Sequence, residues 1–281
     1  MKRLSKWGIF LLFLGCVALF SLYMLHSEAA QDSDAPAISF DAQTVTLSVY
    51  DDQAVLLQGV SAYDAKDGDV TDSLVVEGIS DIREDDTVTV TYAAFDSAGN
   101  VAKATRTALF TDYTGIRFSL SAPLIFRSGD SSDVFSCLVA TDSLDGDLSD
   151  QIKASLTGET TSLSTVGLHE IEIRVTNSMG QTARLTLPVE VNAADAYNAS
   201  LTLTEYLIYL SAGEPLDPGD YLNTLVCGQE TISMQSVSLA GLDVEIESDV
   251  DADTAGVYSV SYTVTYGSYT AHSRLIVVVE E

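Results

Sequence analysis

Eight aspartates in two near-identical loops are the side chains of this sequence best placed to do chemistry. Asp64, Asp67, Asp69 and Asp72 stand in DAKDGDVTDSL (residues 64–74), and Asp142, Asp145, Asp147 and Asp150 repeat them in DSLDGDLSDQI (142–152). Four carboxylates within nine residues suit a hard cation such as calcium, which takes about six to eight oxygen ligands and accepts carbonyls and water among them. The same residues also suit a turn, since Asp side chains accept bonds from nearby backbone N–H groups and Gly68 or Gly146 supplies a positive φ. In an EF-hand the glycine follows the third acid; here it precedes it, so the pattern leaves cation and turn as alternatives.

A second acidic feature alternates along the chain. Asp243, Glu245, Glu247, Asp249, Asp251 and Asp253 occupy every second position, with Val244, Ile246, Val250 and Ala252 between most of them. In an extended strand such acids line one face about 6.6 Å apart and repel by roughly 0.6 kcal/mol per neighbouring pair in water, so the row must face solvent. It reads either as an edge strand whose charges block edge-to-edge pairing or as a dock for a cation or basic partner.

Nucleophilic and acid–base chemistry finds little material. Past the N-terminal segment only His169 and His272 are available, both inside strand-like runs, where a core or rim histidine is the expected role rather than a catalytic base. Cys16 lies in the N-terminal apolar segment, while Cys137 and Cys227 sit in separate repeats inside VFSCLVA and NTLVCGQ. These are too few ligands for a Cys/His metal centre, and the latter two read as buried thiols rather than a bridge. No catalytic, cofactor-binding or metal-ligating residue is assigned, and the chain reads as a non-enzyme. Glycan binding is the alternative; with Trp7 the only tryptophan, a sugar platform has to use tyrosines such as Tyr206, Tyr209 or Tyr269.

The elements that must position these side chains repeat as well. A glycine turn follows each aspartate loop about thirty residues on, DSAGN at 96–100 and NSMGQ at 177–181. Ahead of each turn, and again in a third segment, runs a strand-like stretch: Thr87 to Ala94, Leu168 to Val175 and Val257 to Val264, with Tyr92, Ile173 and Tyr262 equivalent. In the third, Tyr258, Val260, Tyr262, Val264 and Tyr266 fall on one face and serines and threonines on the other, the period of a strand with one buried side. Gly267-Ser268 predicts a hairpin into Tyr269 to Val279. Beyond the N-terminus no window sustains a helical apolar stripe, and about seven short strands per 80 residues predict two-layer sandwiches.

The expectation is an all-β chain of three tandem immunoglobulin-like β-sandwich domains, at 37–112, 116–192 and 198–281. The third is divergent and lacks the aspartate loop. A transmembrane helix at about 8–25 and a spacer at 31–36 precede them. The connections TDYTG and NAADAYN, five and seven residues long, limit domain motion.

The Asp-Gly-Asp loop, the tyrosine-bearing strand, the turn Asp96-Ser-Ala-Gly-Asn100 and the closing strand with Thr105-Arg106-Thr107 together resemble a bacterial family. They are similar to the immunoglobulin-like repeats of Gram-positive surface proteins, a domain family of unknown function also found in pesticidal crystal proteins and akin to the hyalin repeat. The resemblance covers repeats one and two, and reaches repeat three through the shared strand. It implies an immunoglobulin-like sandwich on a cell surface in adhesion or spacer roles, and it implies no catalytic residues. The Cys…Trp…Cys spacing of antibody domains is absent.

Lys2, Arg3 and Lys6 precede an apolar stretch whose core, Gly8 to Leu25, is eighteen residues long. At about 1.5 Å per residue this spans roughly 27 Å, near the hydrocarbon thickness and longer than the about 7–15 residues of a signal-peptide core. An uncleaved, single-pass anchor is expected, with the basic end inside and residues from about 31 onward exported. Cleavage after Ala29, at Ser27-Glu28-Ala29, or lipidation at Cys16 are the alternatives. The terminal VVVEE carries no sorting signal, which places any anchor at the N-terminus. The formal charge is −28, and once Lys2, Arg3, Lys6 and Glu28 are set aside 10 basic residues face 40 acidic ones. Such a surface repels nucleic acid and anionic headgroups and favours cations or basic proteins. The reading is a cell-surface adhesion, spacer or protein-interaction module, with a glycan- or cell-wall-binding module as the alternative.

Overall fold

A computed structural model of the chain describes residues 13–24, 32–83, 85–129, 133–157, 162–235 and 242–281. Residues 13–24 are helical. The expected span from Gly8 to Leu25 runs outside the described residues, as does the cleavage point at Ala29. Among the described residues no helix is long and apolar enough to cross a membrane.

From residue 37 the chain lays down a three-stranded and a four-stranded sheet, three times over. The first small sheet orders Ala37–Phe40, Val60–Asp64 and Gly68–Asp69; the larger orders Thr44–Leu47, Val101–Phe110, Thr87–Phe95 and Val75–Ile79. The second pair orders Gly146–Asp147, Leu138–Asp142 and Arg117–Leu120, then Lys153–Leu156, Gly167–Thr176, Thr182–Asn192 and Ile125–Arg127. The third orders Ser200–Leu203, Leu222–Cys227 and Glu230–Ser233, then Leu207–Ser211, Tyr269–Glu280, Gly256–Tyr266 and Asp243–Ser248. In each large sheet a short early strand lies parallel to the closing strand. Its neighbours are antiparallel, so each copy begins in one sheet and crosses to the other, as immunoglobulin-like sandwiches do.

Period-two patterning is what seats these strands. Val88, Val90 and Tyr92 are almost wholly buried, and the threonines between them turn away from the core. Val260, Tyr262 and Val264 repeat the arrangement in the third copy, where the hairpin closes by pairing Tyr266 with Tyr269. Each buried phenol needs an acceptor. Tyr92 Oη donates to the carbonyl of Leu56, 2.7 Å away in the 3-10 helix Gln53–Leu57. Tyr262 Oη donates to Pro218 O at 2.9 Å in the 3-10 helix Pro218–Tyr221, and burial raises its pKa. The equivalent Ile173 has no such group and is simply buried. Cys137 and Cys227 are buried, free thiols.

The described chain forms two compact units, Met1–Asp112 and Tyr113–Glu281. The second holds two sandwiches that share core. Along Tyr269–Glu280, Leu275, Val277 and Val279 point into the third sandwich, whereas Ile276 and Val278 join the cluster of Phe118, Ile173 and Leu187 in the second. Leu207 joins that cluster too, while Ile208 and Leu210 face the other way. Burying a side chain of this class is worth about 1.5–3 kcal/mol, so Leu207, Ile276 and Val278 hold the junction with several kcal/mol.

Candidate functional site

The geometry explains most of the aspartate loop as a fastening. Asp64 Oδ1 accepts the backbone N–H groups of Lys66 and Asp67 at 2.7 and 2.9 Å, and Asp142 Oδ1 does the same for Leu144 and Asp145 at 2.8 and 3.0 Å. Gly68 and Gly146 follow at φ +81° and +74°, the left-handed region that favours glycine. Asp67 reaches across to the glycine turn, where its carboxylate accepts Ser97 N and Oγ at 2.7 and 2.9 Å; Asp145 holds Ser178 the same way at 2.6 Å for both. Bonds from Thr71 and Ser149 hold Asp69 and Asp147 below the usual carboxylate range. Asp72 and Asp150 are exposed on the short helices Thr71–Ser73 and Ser149–Gln151. Loop and glycine turn therefore recur together because they bond to each other, and the eight carboxylates do not converge on one point.

One acid of the first loop has a second role. Asp64, Asp96 from the glycine turn and Asp32 from the segment before the first strand each bring a carboxylate oxygen within 4.8 Å of the other two. Asp64 and Asp96 are 2% and 8% exposed. Burial alone raises the Asp96 carboxyl, but bonds from the Asn100 amide and from the turn's backbone outweigh it and hold the group below its ordinary value. Asn100 Nδ2 lies 2.6 Å from Asp96 Oδ2, 3.2 Å from the Asp32 carbonyl and 3.1 Å from the Asp34 carbonyl. The second copy has the same scaffold in neutral form. Asp142 Oδ2 there accepts from Tyr113 Oη and Asn177 Nδ2, both at 3.1 Å, while Gln181 bonds the Tyr113 hydroxyl.

A second polar cluster joins the two sandwiches of residues 113–281. Glu190 Oε2 accepts Arg274 Nη2 at 2.7 Å and lies 3.1 Å from His272 Nε2, with all three side chains largely buried. Burial opposes ionisation of Glu190, but the hydrogen bond and charge of His272 and the charge of Arg274 overcome it and bring its pKa down to about 2. Tyr197 stacks on His272 with ring centroids 5.0 Å apart, and Arg127 donates to the Tyr197 carbonyl at 3.3 Å. His272 is thus held against Glu190 and the Tyr197 ring. His169, 9% exposed, bonds the Thr165 carbonyl at 2.7 Å.

The tyrosines considered for a sugar platform are occupied. Tyr206 and Tyr209 pack against the second sandwich's core, Tyr209 Oη accepts Phe118 N at 3.0 Å, and the Arg117 guanidinium covers its ring at 4.5 Å. Tyr269 packs on the third core. The acidic row is shorter than its spacing predicts. Asp243, Glu245 and Glu247 lie exposed on the edge strand Asp243–Ser248, whereas Asp249 accepts Ser259 N at 2.6 Å and Asp251 accepts Thr254 Oγ1 at 2.8 Å in the following turn. Three basic residues share one exposed sheet face. Lys153 stands opposite Arg174, and Arg174 opposite Arg184, lining a groove of about 560 Å³.

Residues 44–108 match the family described as bacterial surface protein, Ig-like domain. The first repeat belongs to this family. Around this bacterial surface Ig-like domain the wider likenesses are thin. The chain is 28% identical over 124 residues to an uncharacterised 81.3 kDa protein of Acholeplasma phage L2, which covers 44% of this chain and 16% of that protein. It therefore spans a small part of that relative's length. Among solved structures it is similar to the protocadherin GammaB4 extracellular domain, with a TM-score of 0.20, 12% identity, and coverage of 88% of this chain and 50% of that one. The CBM51-2 and INT domains of Clostridium perfringens ZmpB, solved in complex with GlcNAc, give a TM-score of 0.23, 14% identity and coverage of 87% and 42%. Scores this low carry no functional argument.

Proposed function

We propose that the protein is a non-enzymatic cell-surface module of Ig-like repeats, held to the membrane by its N-terminal segment and serving adhesion or spacing. The observation that carries this reading is the double-sided burial of the sheet containing Tyr269–Glu280, which feeds one sandwich with Leu275, Val277 and Val279 and its neighbour with Ile276 and Val278. A spacer must keep adjacent modules from bending, and a shared core does so where a linker alone does not. The Ig-like match of residues 44–108 supports surface display, and the eighteen-residue apolar stretch from Gly8 to Leu25, longer than a signal-peptide core, supports retention of the N-terminal segment as an anchor.

A second reading, docking of an anionic wall polymer, rests on the groove where Lys153, Arg174 and Arg184 outnumber Asp150, a net positive lining in a chain of charge −28.

Fractionation with external proteolysis tests the proposal. In cells producing the full chain, the protein is expected in the membrane fraction at full length, with residues beyond 31 removed by protease added outside. A mature form starting at Ala30 or Gln31 and recovered from the medium overturns the anchor.

A further inference from the structure

We propose that Asp32, Asp64 and Asp96 form a calcium site in the first sandwich, completed by the main-chain carbonyls of Asp32 and Asp34. Three carboxylates within 4.8 Å of one another make only a cluster. What points to a ligand is a buried oxygen left without a donor. Asp32 Oδ2 is buried and accepts no hydrogen bond, although Oδ1 of the same carboxylate takes Asp34 N at 3.3 Å. Asp64 is 2% exposed and spends Oδ1 on the Lys66 and Asp67 amides. The carboxylate faces a different environment from that of its counterpart Asp142. In the second copy Asp142 Oδ2 takes two donors, from Tyr113 and Asn177, whereas in the first copy the Asp64 carboxylate has those of Asp32 and Asp96 within 4.8 Å. A buried acceptor without a donor carries its full desolvation penalty, and the like charge of its neighbours adds to it. One cation relieves both.

The donor set selects the ion. Every candidate ligand is oxygen, drawn from carboxylates and carbonyls, and no thiol or imidazole belongs to the group. That is hard-cation chemistry, and an irregular set drawn from a loop, a turn and a preceding segment suits calcium's flexible shell better than the strict octahedron of magnesium. The Asn100 amide nitrogen sits among Asp96 Oδ2 and the Asp32 and Asp34 carbonyls. Turning that amide over presents its own oxygen to the same point, which raises the number of protein oxygens to six. The cation ties the segment 32–36 to the aspartate loop and the glycine turn. The second copy, with a phenol and two amides in place of these groups, holds itself together without one.

Calorimetric titration of the full chain with calcium chloride, after chelator treatment and removal, tests the site. The expected result is one saturable equivalent per chain. Asp32→Asn and Asp96→Asn are each expected to weaken it by more than the about 10- to 100-fold that loss of an outer-shell partner costs at metal sites. Asp147→Asn, in the second loop, is expected to leave both stoichiometry and affinity unchanged. Asp32 precedes the first strand and its substitution leaves the sandwich intact, which circular dichroism of the same sample checks. Absence of saturable calcium binding overturns the site. So does binding that survives unweakened in the Asp32→Asn and Asp96→Asn variants.

Discussion

Glu190→Ala lowers the unfolding free energy of residues 113–281 by about 3–5 kcal/mol, the cost of breaking a buried ion pair from one side. Arg274 then keeps its charge at 16% side-chain exposure with no carboxylate within reach among the described residues, and His272 loses the same partner. Urea unfolding followed by circular dichroism measures the loss, since the only tryptophan is Trp7 and tyrosines report from every sandwich. Glu190→Leu combined with Arg274→Met recovers much of the stability, because an apolar pair of similar volume carries no desolvation penalty.

Acid reaches the same interaction by titration. The Glu190 pKa falls from 4.5 to about 2 on folding, so its contribution is complete above pH 4.5 and disappears as pH drops through that interval to about 2. Over that window the wild-type unit loses on the order of 3 kcal/mol that the Glu190→Gln variant never had. A stability difference between the two proteins that stays constant from pH 6 to pH 2 contradicts the assignment.

Arg106→Met destabilises the first sandwich by about 3 kcal/mol, given that hydrogen bonds from a charged donor are worth about 1.5–3 kcal/mol each. Arg106 is 3% exposed, and its guanidinium donates to Leu56 O at 2.7 Å, Gln58 O at 3.1 Å and Tyr92 Oη at 3.2 Å. It also lies 5.6 Å from the ring centroids of both Phe40 and Tyr92. These contacts join the closing strand Val101–Phe110 to the short helix Gln53–Leu57. Methionine fills the volume but leaves Gln58 O without this donor. Arg106→Lys fails to rescue, because an ammonium lacks the planar fork that serves two carbonyls and a phenol at once. The shift corresponds to roughly 10–20 °C in the melting of a domain this small. Hydrogen–deuterium exchange along Val101–Phe110 in the full chain reads it locally, with unchanged protection there as the contrary result.

The strands were the most legible part of the fold. Alternation at 258–266 and its echoes at 87–94 and 168–175 predict sheets with one buried face, because a strand's period of two is visible in any nine residues. The loop–turn pairing was half legible. Both motifs recur at matching distances, but that Asp67 bonds Ser97 and Asp145 bonds Ser178 needs the fold. Less legible were clusters assembled across long separations, such as Asp32 with Asp96 or Glu190 with His272, since periodicity carries no information about which loops meet. The sequence carries one further signal. Leu275-Ile-Val-Val-Val279 and Leu207-Ile-Tyr-Leu210 are unbroken apolar runs where the neighbouring strand alternates, and an unbroken run is the mark of a strand buried on both faces. It locates the junction that the even spacing of the repeats concealed. The same burial explains why Tyr206 and Tyr209 serve packing rather than a sugar surface.

Brief proteolysis of the full chain under native conditions, with cleavage sites mapped by mass spectrometry, tests the stiffness of the 113–281 unit most directly. The segment 193–199 is polar and carries small residues, and taken alone it is a protease substrate. Tyr197 stacks on His272, Arg127 holds the Tyr197 carbonyl, and Asn198 bonds Thr270 N through its side chain at 2.7 Å, so the connection is fastened to both sandwiches. The expected result is resistance at 193–199 for as long as the unit stays folded, with cleavage there appearing in Glu190→Ala. Cleavage at 193–199 among the first cuts in the wild-type protein, releasing two folded halves, contradicts a shared core and the spacer role that rests on it.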